Sequence, residues 1–162
     1  MNEPSDAMRR LESERAAFLI SEELLERTGK ALLSRDFDAF HLNFTMPTLV
    51  ETFEGRRIID TVEKLRDAFD GACDHYGAHR ATDLVRNVLA AEFQDDVTIR
   101  STHECRVLAG DVLSQAPFAV YSQIVVQDGR WKVAESIYVV DNAPLFTRAL
   151  SFGSGRHQAS AD

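Results

Sequence analysis

The order of the hydrophobic patterns predicts an α+β fold. Two observations carry that prediction: apolar residues recur three and four apart through the first part of the chain, and they alternate two apart through the second half. A chain that makes its helices first and an antiparallel meander last must lay those helices over the apolar face of its sheet.

The elements follow in order. Phe18, Ser21, Leu25, Thr28 and Leu32 make one face of a first helix that stops near Leu33. A short helix follows in SRDFDAFHLNF, with Phe37, Phe40, His41 and Phe44 on one apolar face. TLVETFEGRRIID is a pair of extended runs around Glu54-Gly55, where Gly tolerates the positive φ of a hairpin turn. A third helix runs from Thr61 to about Tyr76, opened by a capping box of Asp60 and Glu63 and closed by Gly77. Its buried stripe is Val62, Leu65, Phe69 and Tyr76. ATDLVRNVLAAEF, VTIRSTHECRVL, APFAVYSQIVVQ and RWKVAESIYVV are strands, and Asp95-Asp96, Ala109-Gly110-Asp111 and Asp128-Gly129 supply the turns between them.

The totals narrow the function classes. The chain has 162 residues, the size of one domain with a real core. Residues 1–8 and 151–162 are small and polar and are expected to be disordered, leaving a single domain over 9–150. A formal charge of −8 argues against a nucleic-acid backbone or an anionic membrane surface as partner. No apolar run approaches the roughly 20 residues of a membrane span, and the polar N-terminus lacks the apolar core of a signal peptide. A cytoplasmic protein with Cys73 and Cys105 as reduced thiols is the expectation.

The stretch TIRSTHECRV, Thr98 to Val107, places His103, Glu104 and Cys105 side by side. Strand alternation puts Ile99, Ser101, His103, Cys105 and Val107 on one face and sends Glu104 to the other. The first face is the inner one. Zinc wants three or four ligands, and no second His/Cys pair with ligand spacing accompanies His103 and Cys105, so no metal or other cofactor is expected. Cys105 reads as a small core residue. His103 fits either a core histidine satisfied by one hydrogen bond or a residue facing a ligand.

The preceding strand also divides. Asp83, Val85, Asn87, Leu89, Ala91 and Phe93 share one face; Thr82, Leu84, Arg86, Val88, Ala90 and Glu92 share the other. Arg86 and Glu92 suit solvent, so the first set is expected to face inward. An inward Asp83 beside an inward His103 would resolve the burial of a carboxylate and form an acid–base pair; Asp83 at a wet rim of the sheet is the competing arrangement. In the last two strands Tyr121 and Gln123 alternate with Ser122 and Ile124, and Trp131, Val133 and Glu135 with Ala134, Ser136 and Tyr138. Which set faces inward is open, and Tyr121 and Tyr138 are candidates to offer hydroxyls to a ligand.

This order of elements, with DGRW before the last strand and T-D-L-V-R-N-V opening the third, resembles the SnoaL-like branch of the nuclear transport factor 2-like superfamily over roughly residues 15–142. The resemblance implies a cone: a curved antiparallel sheet wrapped around N-terminal helices, enclosing a pocket. The superfamily holds polyketide cyclases, steroid isomerases, scytalone dehydratase and a lindane dehydrochlorinase, beside dioxygenase β-subunits and non-catalytic binding modules, so the fold leaves function open. The dehydratase and dehydrochlorinase members pair a histidine at the start of the third strand with an aspartate of the early helical region. Asp83 and Asp36 match those positions, so the acid is kept and the histidine is replaced. The steroid isomerase positions match Thr28 and Thr52, and the asparagine after the histidine position matches Asn87.

Two functions follow as expectations. The first is an apolar pocket for a small molecule with cofactor-free acid–base chemistry of the lyase, isomerase or hydrolase type, in which His103 acts with Asp83 or Asp36, and Asn87, Tyr121, Tyr138 and His41 contact the ligand. The second is a non-catalytic ligand-binding or subunit-interaction module. Convergence of Asp83, His103 and Asp36 supports the first; a pocket plugged by Phe37, Phe40, Phe44 and Phe69 supports the second. A homodimer through the sheet is implied by the resemblance.

Overall fold

The computed structural model describes residues 4–139. The expected tail over 151–162 lies outside the described residues. Three helices, α1 (Asp6–Ser34), α2 (Phe37–His41) and α3 (Val62–Ala78), pack against a sheet of seven strands: β1 (Phe44–Thr52), β2 (Gly55–Ile59), β3 (Asp83–Asp95), β4 (Thr98–Ala109), β5 (Val112–Leu113), β6 (Phe118–Gln127) and β7 (Arg130–Val139).

Helix α1 starts earlier than expected. Ser5 takes the N-cap, accepting from the Met8 N–H, so residues 6–8 belong to the helix and not to a disordered arm. Its 29 residues span about 44 Å at 1.5 Å per residue. The second half buries Ser21, Leu24, Thr28, Ala31 and Leu32, while Met8, Leu11 and Leu19 remain exposed. Two caps of α3 also differ from expectation. Thr61, not Asp60, accepts from the Lys64 N–H at 3.2 Å, and Asp60 pairs instead with the Lys64 ammonium at 2.6 Å. Gly77 stays inside the helix, and the left-handed residue that turns the chain is Arg80. Val62, at the solvated start of α3, is exposed, while Leu65, Phe69 and Tyr76 are buried.

The strand order is β2-β1-β7-β6-β4-β3, with β5 paired to β4. The sheet is mixed: β1 runs parallel to β7, and every other pairing is antiparallel. That pairing brings the early hairpin beside the last strand and folds the sheet over the helices.

Two bulges decide which side chains face the helices. In β3, Val88 pairs with His103 and Ala90 with Thr102, so Leu89 is an extra residue. The inner face is therefore Leu84, Arg86 and Val88 before the bulge and Ala91 and Phe93 after it. The expected inward set holds only for its last two members. Asp83, Val85, Asn87 and Leu89 lie on the outer face and are exposed. In β7, Gln123 pairs with Glu135 and Ile124 with Val133, so Ala134 is extra. Both Ser136 and Tyr138 on one side of that bulge, and Val133 and Trp131 on the other, face inward; neither alternating set was wholly inner.

The interior holds two apolar clusters. The larger, under α2 and α3, gathers Phe37, Phe40, Phe69, Tyr76, Cys105, Val107, Phe118 and Val120. The smaller, under the middle of α1, gathers Ala17, Leu24, Ile99 and Ile124, with Phe93 and Trp131, edge to face with each other, packed against it. Among the described residues no helix is long and apolar enough to cross a membrane.

Candidate functional site

Between the two clusters runs a polar band. The pairing registers lay it out in rows across the inner face: Arg86 opposite Cys105 and then Phe118; Val88 opposite His103, Val120 and Tyr138; Ala91 opposite Ser101, Ser122 and Ser136. Helix α1 covers the band with Ser21 and Thr28, whose hydroxyls are spent on the Ala17 and Leu24 carbonyls at 2.9 and 2.8 Å. The smaller side chains of this band leave space.

Two adjoining chambers occupy that space. One, of about 70 Å³, is lined by Phe40, Phe44, Leu65, Phe69, Tyr76 and Phe118. The other, of about 40 Å³, lies under α1 against Ser21, Ser101 and Ser122. Arg86, His103, Tyr138, Ser136, Thr28, Val120 and Phe44 line both and mark the junction. Both chambers are mainly apolar; the second adds the hydroxyls of Ser21, Ser101 and Ser122 among Leu24, Leu25, Ile124 and Val133, so an occupant spanning them meets apolar walls at both ends and hydrogen-bonding groups at the junction.

Arg86 is the unexpected member. Its Nη2 donates to the Leu25 carbonyl and, at 2.7 Å, to Thr28 Oγ1. The approach depends on Gly29, since a Cβ there would stand 2.9 Å from Nη2. No ion pair joins Arg86 to a carboxylate among the described residues.

His103 is buried at 5 % exposure, and no hydrogen bond joins its ring to another described residue. It is thus not the hydrogen-bonded core histidine that was one of its two expected forms. Burial, with the Arg86 charge adding to it, lowers its pKa from the usual value to about 3. At neutral pH the ring is uncharged and is a poor proton acceptor. Burial also pushes the Cys105 thiol up to about 11, which leaves it unreactive. The Tyr138 phenol is raised by desolvation, with the Arg86 charge and a hydrogen bond to Ser136 opposing the shift.

The remaining residues singled out in the sequence are elsewhere. Asp83 is exposed at the start of β3 and accepts from Thr82 Oγ1 at 3.1 Å. Asp36 is exposed and caps α2, accepting from the Ala39 N–H at 3.0 Å. Neither lines the chambers that His103 faces, so the expected acid–base pair does not assemble. Asn87 lies on the outer face of β3, one strand from Glu104. Tyr121 points outward at 48 % exposure. His41 stacks on Phe37 with ring centroids 5.3 Å apart and does not line the chambers. Tyr138 alone of the expected ligand contacts faces the interior. Of the four aromatic plugs, Phe40, Phe44 and Phe69 form chamber wall, and Phe37 packs behind Phe69. The sequence signal for Arg86 was its flanking by Leu84 and Val88, two apolar residues of the same parity; the extra residue at Leu89 hid it.

A much larger concavity, about 1030 Å³, is an open groove between the first half of α1 and the sheet, bordered by Leu11, Phe18, Leu89, Tyr121 and Ile137. Neither Arg86 nor His103 lines it, but it shares Ser101 and Ser122 with the second chamber. Among the described residues no group of three or more His, Cys, Asp or Glu is placed to hold a metal ion.

No protein-family model matches the sequence, and no curated protein matches it. Solved structures do match by shape. A protein of unknown function with a cystatin-like fold from Nostoc punctiforme superimposes with a TM-score of 0.61 at 18 % identity, over 88 % of this chain and 97 % of that one. An NTF-2 like protein of unknown function from Shewanella oneidensis gives 0.56 at 10 % identity, over 74 % and 96 %. An NTF2-like protein of unknown function from Pseudomonas putida gives 0.58 at 14 % identity, over 78 % and 88 %. At these identities the likeness concerns the path of the chain. The fold of this protein is the cystatin-like, nuclear transport factor 2-like cone.

Proposed function

We propose that this protein binds a compact small molecule inside the cone, at the junction of the two chambers. The observation that carries the reading is the junction itself: His103, Arg86 and Tyr138 turn polar groups into a space whose other wall is aromatic and aliphatic. An unspent imidazole in an interior is retained against its burial cost, and a ligand that accepts or donates to it accounts for that retention. The separation of His103 from Asp83 and Asp36, together with its weak basicity, favours binding over acid–base catalysis by that set.

Ligand-observed NMR with toluene as probe tests the reading. The wild-type protein is expected to give saturable transfer to toluene. Ala68→Trp, which fills the apolar chamber from α3, is expected to abolish it with an unchanged far-ultraviolet circular dichroism spectrum. Equal transfer in both proteins, or a wild type that binds neither toluene nor benzoate, benzamide, butyrate or butyramide, would overturn the proposal.

The expected homodimer is carried forward as a second proposal. Val85 and Leu89 of β3 and Tyr121 of β6 are exposed on the outer face, with β4 between the two strands, a surface a second copy would cover.

A further inference from the structure

We infer that the ligand of the cone carries a carboxylate or a similar small organic anion, and that Arg86 is the group that receives it. This rests on the reading of the cone as a small-molecule site and adds the chemical class of the ligand.

Four observations meet at Arg86. First, it is a cation on the inner face of a protein whose formal charge is −8, so its inward placement is not a consequence of general basicity. Second, its guanidinium has no carboxylate partner among the described residues. Arg86 is half-buried, and a charge drawn part-way out of water is ordinarily paired. Third, the two contacts it makes go to neutral oxygens and both come from Nη2. A guanidinium has five N–H donors in a planar fork, so the Nε and Nη1 donors remain for an acceptor that enters the junction. Fourth, the position is built. Gly29 opens α1 so that Nη2 reaches the Leu25 carbonyl, and Thr28 fixes the same atom from the next residue. Anchoring one nitrogen by neutral partners orients the fork without neutralising it, as expected for a receiver of a planar two-oxygen anion.

The surroundings suit the same ligand. Among the groups facing Arg86, His103 is uncharged at neutral pH, the Tyr138 and Ser136 hydroxyls are hydrogen-bonded to each other, and Thr28 is bonded to the Leu24 carbonyl. None carries a negative charge that would compete with an incoming anion. The apolar chamber beyond them takes the carbon body.

Isothermal titration of the full chain with matched acid and amide pairs, benzoate against benzamide and butyrate against butyramide, tests the inference. At least one acid is expected to bind ten-fold or more tightly than its amide, and Arg86→Met is expected to bring the acid-to-amide affinity ratio to within two-fold of one. The wild-type comparison needs no variant, so it stands if Arg86→Met fails to fold. Acids and amides that bind the wild type equally, or a preference that survives in Arg86→Met, would overturn the anion assignment. If toluene binds and no acid exceeds its amide, the small-molecule site stands and only the anion assignment is lost. If neither toluene nor any of the four compounds binds, both are lost.

Discussion

Arg86 of β3 and Thr28 of α1 are joined by a 2.7 Å hydrogen bond across the interior, and the bond ties the covering helix to the polar band of the sheet. It places a cation between two apolar clusters. The geometry is unusual for stability and sensible for recognition, and that contrast yields the first expectation.

Arg86 is half-buried, and replacing an incompletely paired charge that is partly withdrawn from water by an apolar side chain of similar length is often close to neutral. Arg86→Met is expected to stay within about 1 kcal/mol of the wild type, because Met keeps the aliphatic packing and the charge it removes is only half-buried. Urea denaturation at pH 7 without ligand checks this. A loss beyond about 1 kcal/mol would mean that the two hydrogen bonds outweigh the burial of the guanidinium.

His103 makes stability depend on pH. Its folded pKa is near 3 and its unfolded value near 6.5, so the unfolded chain binds the extra proton between these values. Stability therefore falls as pH drops from 6.5 toward 3, by an amount on the order of 5 kcal/mol at most. The groups facing the ring are Arg86 from β3, Tyr138 from β7, Thr28 from α1 and Cys105 on its own strand, and only Arg86 is charged. Burial shifts His75 in the same direction, so His103→Gln should flatten the slope without abolishing it. Denaturant melts of both proteins at several pH values give the comparison; parallel curves would place the proton elsewhere.

Gly29→Ala separates stability from binding. Alanine gains about 1 kcal/mol of helix propensity over glycine, while its Cβ meets the Arg86 guanidinium and must push it aside. The net change in stability is expected to stay within about 1 kcal/mol. Acid binding should fall at least five-fold, since the displaced fork no longer faces the junction. Thermal melts and the benzoate titration read the two effects separately.

The aspartates to which the family resemblance drew attention should behave as surface residues. Asp36→Ala removes an N-cap and is expected to cost about 1 kcal/mol. Asp83→Asn, in water at the rim of the sheet, is expected to change stability by less than about 0.5 kcal/mol. Neither should alter toluene or benzoate affinity by more than two-fold. A large binding defect in Asp83→Asn would revive the acid–base reading.

For the proposed homodimer, sedimentation velocity of the wild type is expected to show a dimer at micromolar concentration. Leu89→Glu, which puts a charge on the outer face of the edge strand β3, should yield monomer. A wild-type monomer at the same concentration would remove the proposal.

Helix content, hairpin, third helix and strand meander were all legible in the amino-acid order, because each rests on a local period and its punctuation. The inner face of β4 was legible for the same reason: Ile99, Ser101, His103, Cys105 and Val107 alternate without interruption, and all five are buried. The identity of the site's cation was not. Parity along β3 holds only until Leu89, and along β7 only until Ala134, and the position of a bulge is set by which residue of the neighbouring strand pairs with which. Alternation determined by itself that His103 points into the protein. The tertiary pairing of β3 with β4 decided that its companion there is Arg86 and not Asp83, since one extra residue reverses every side chain on one side of it.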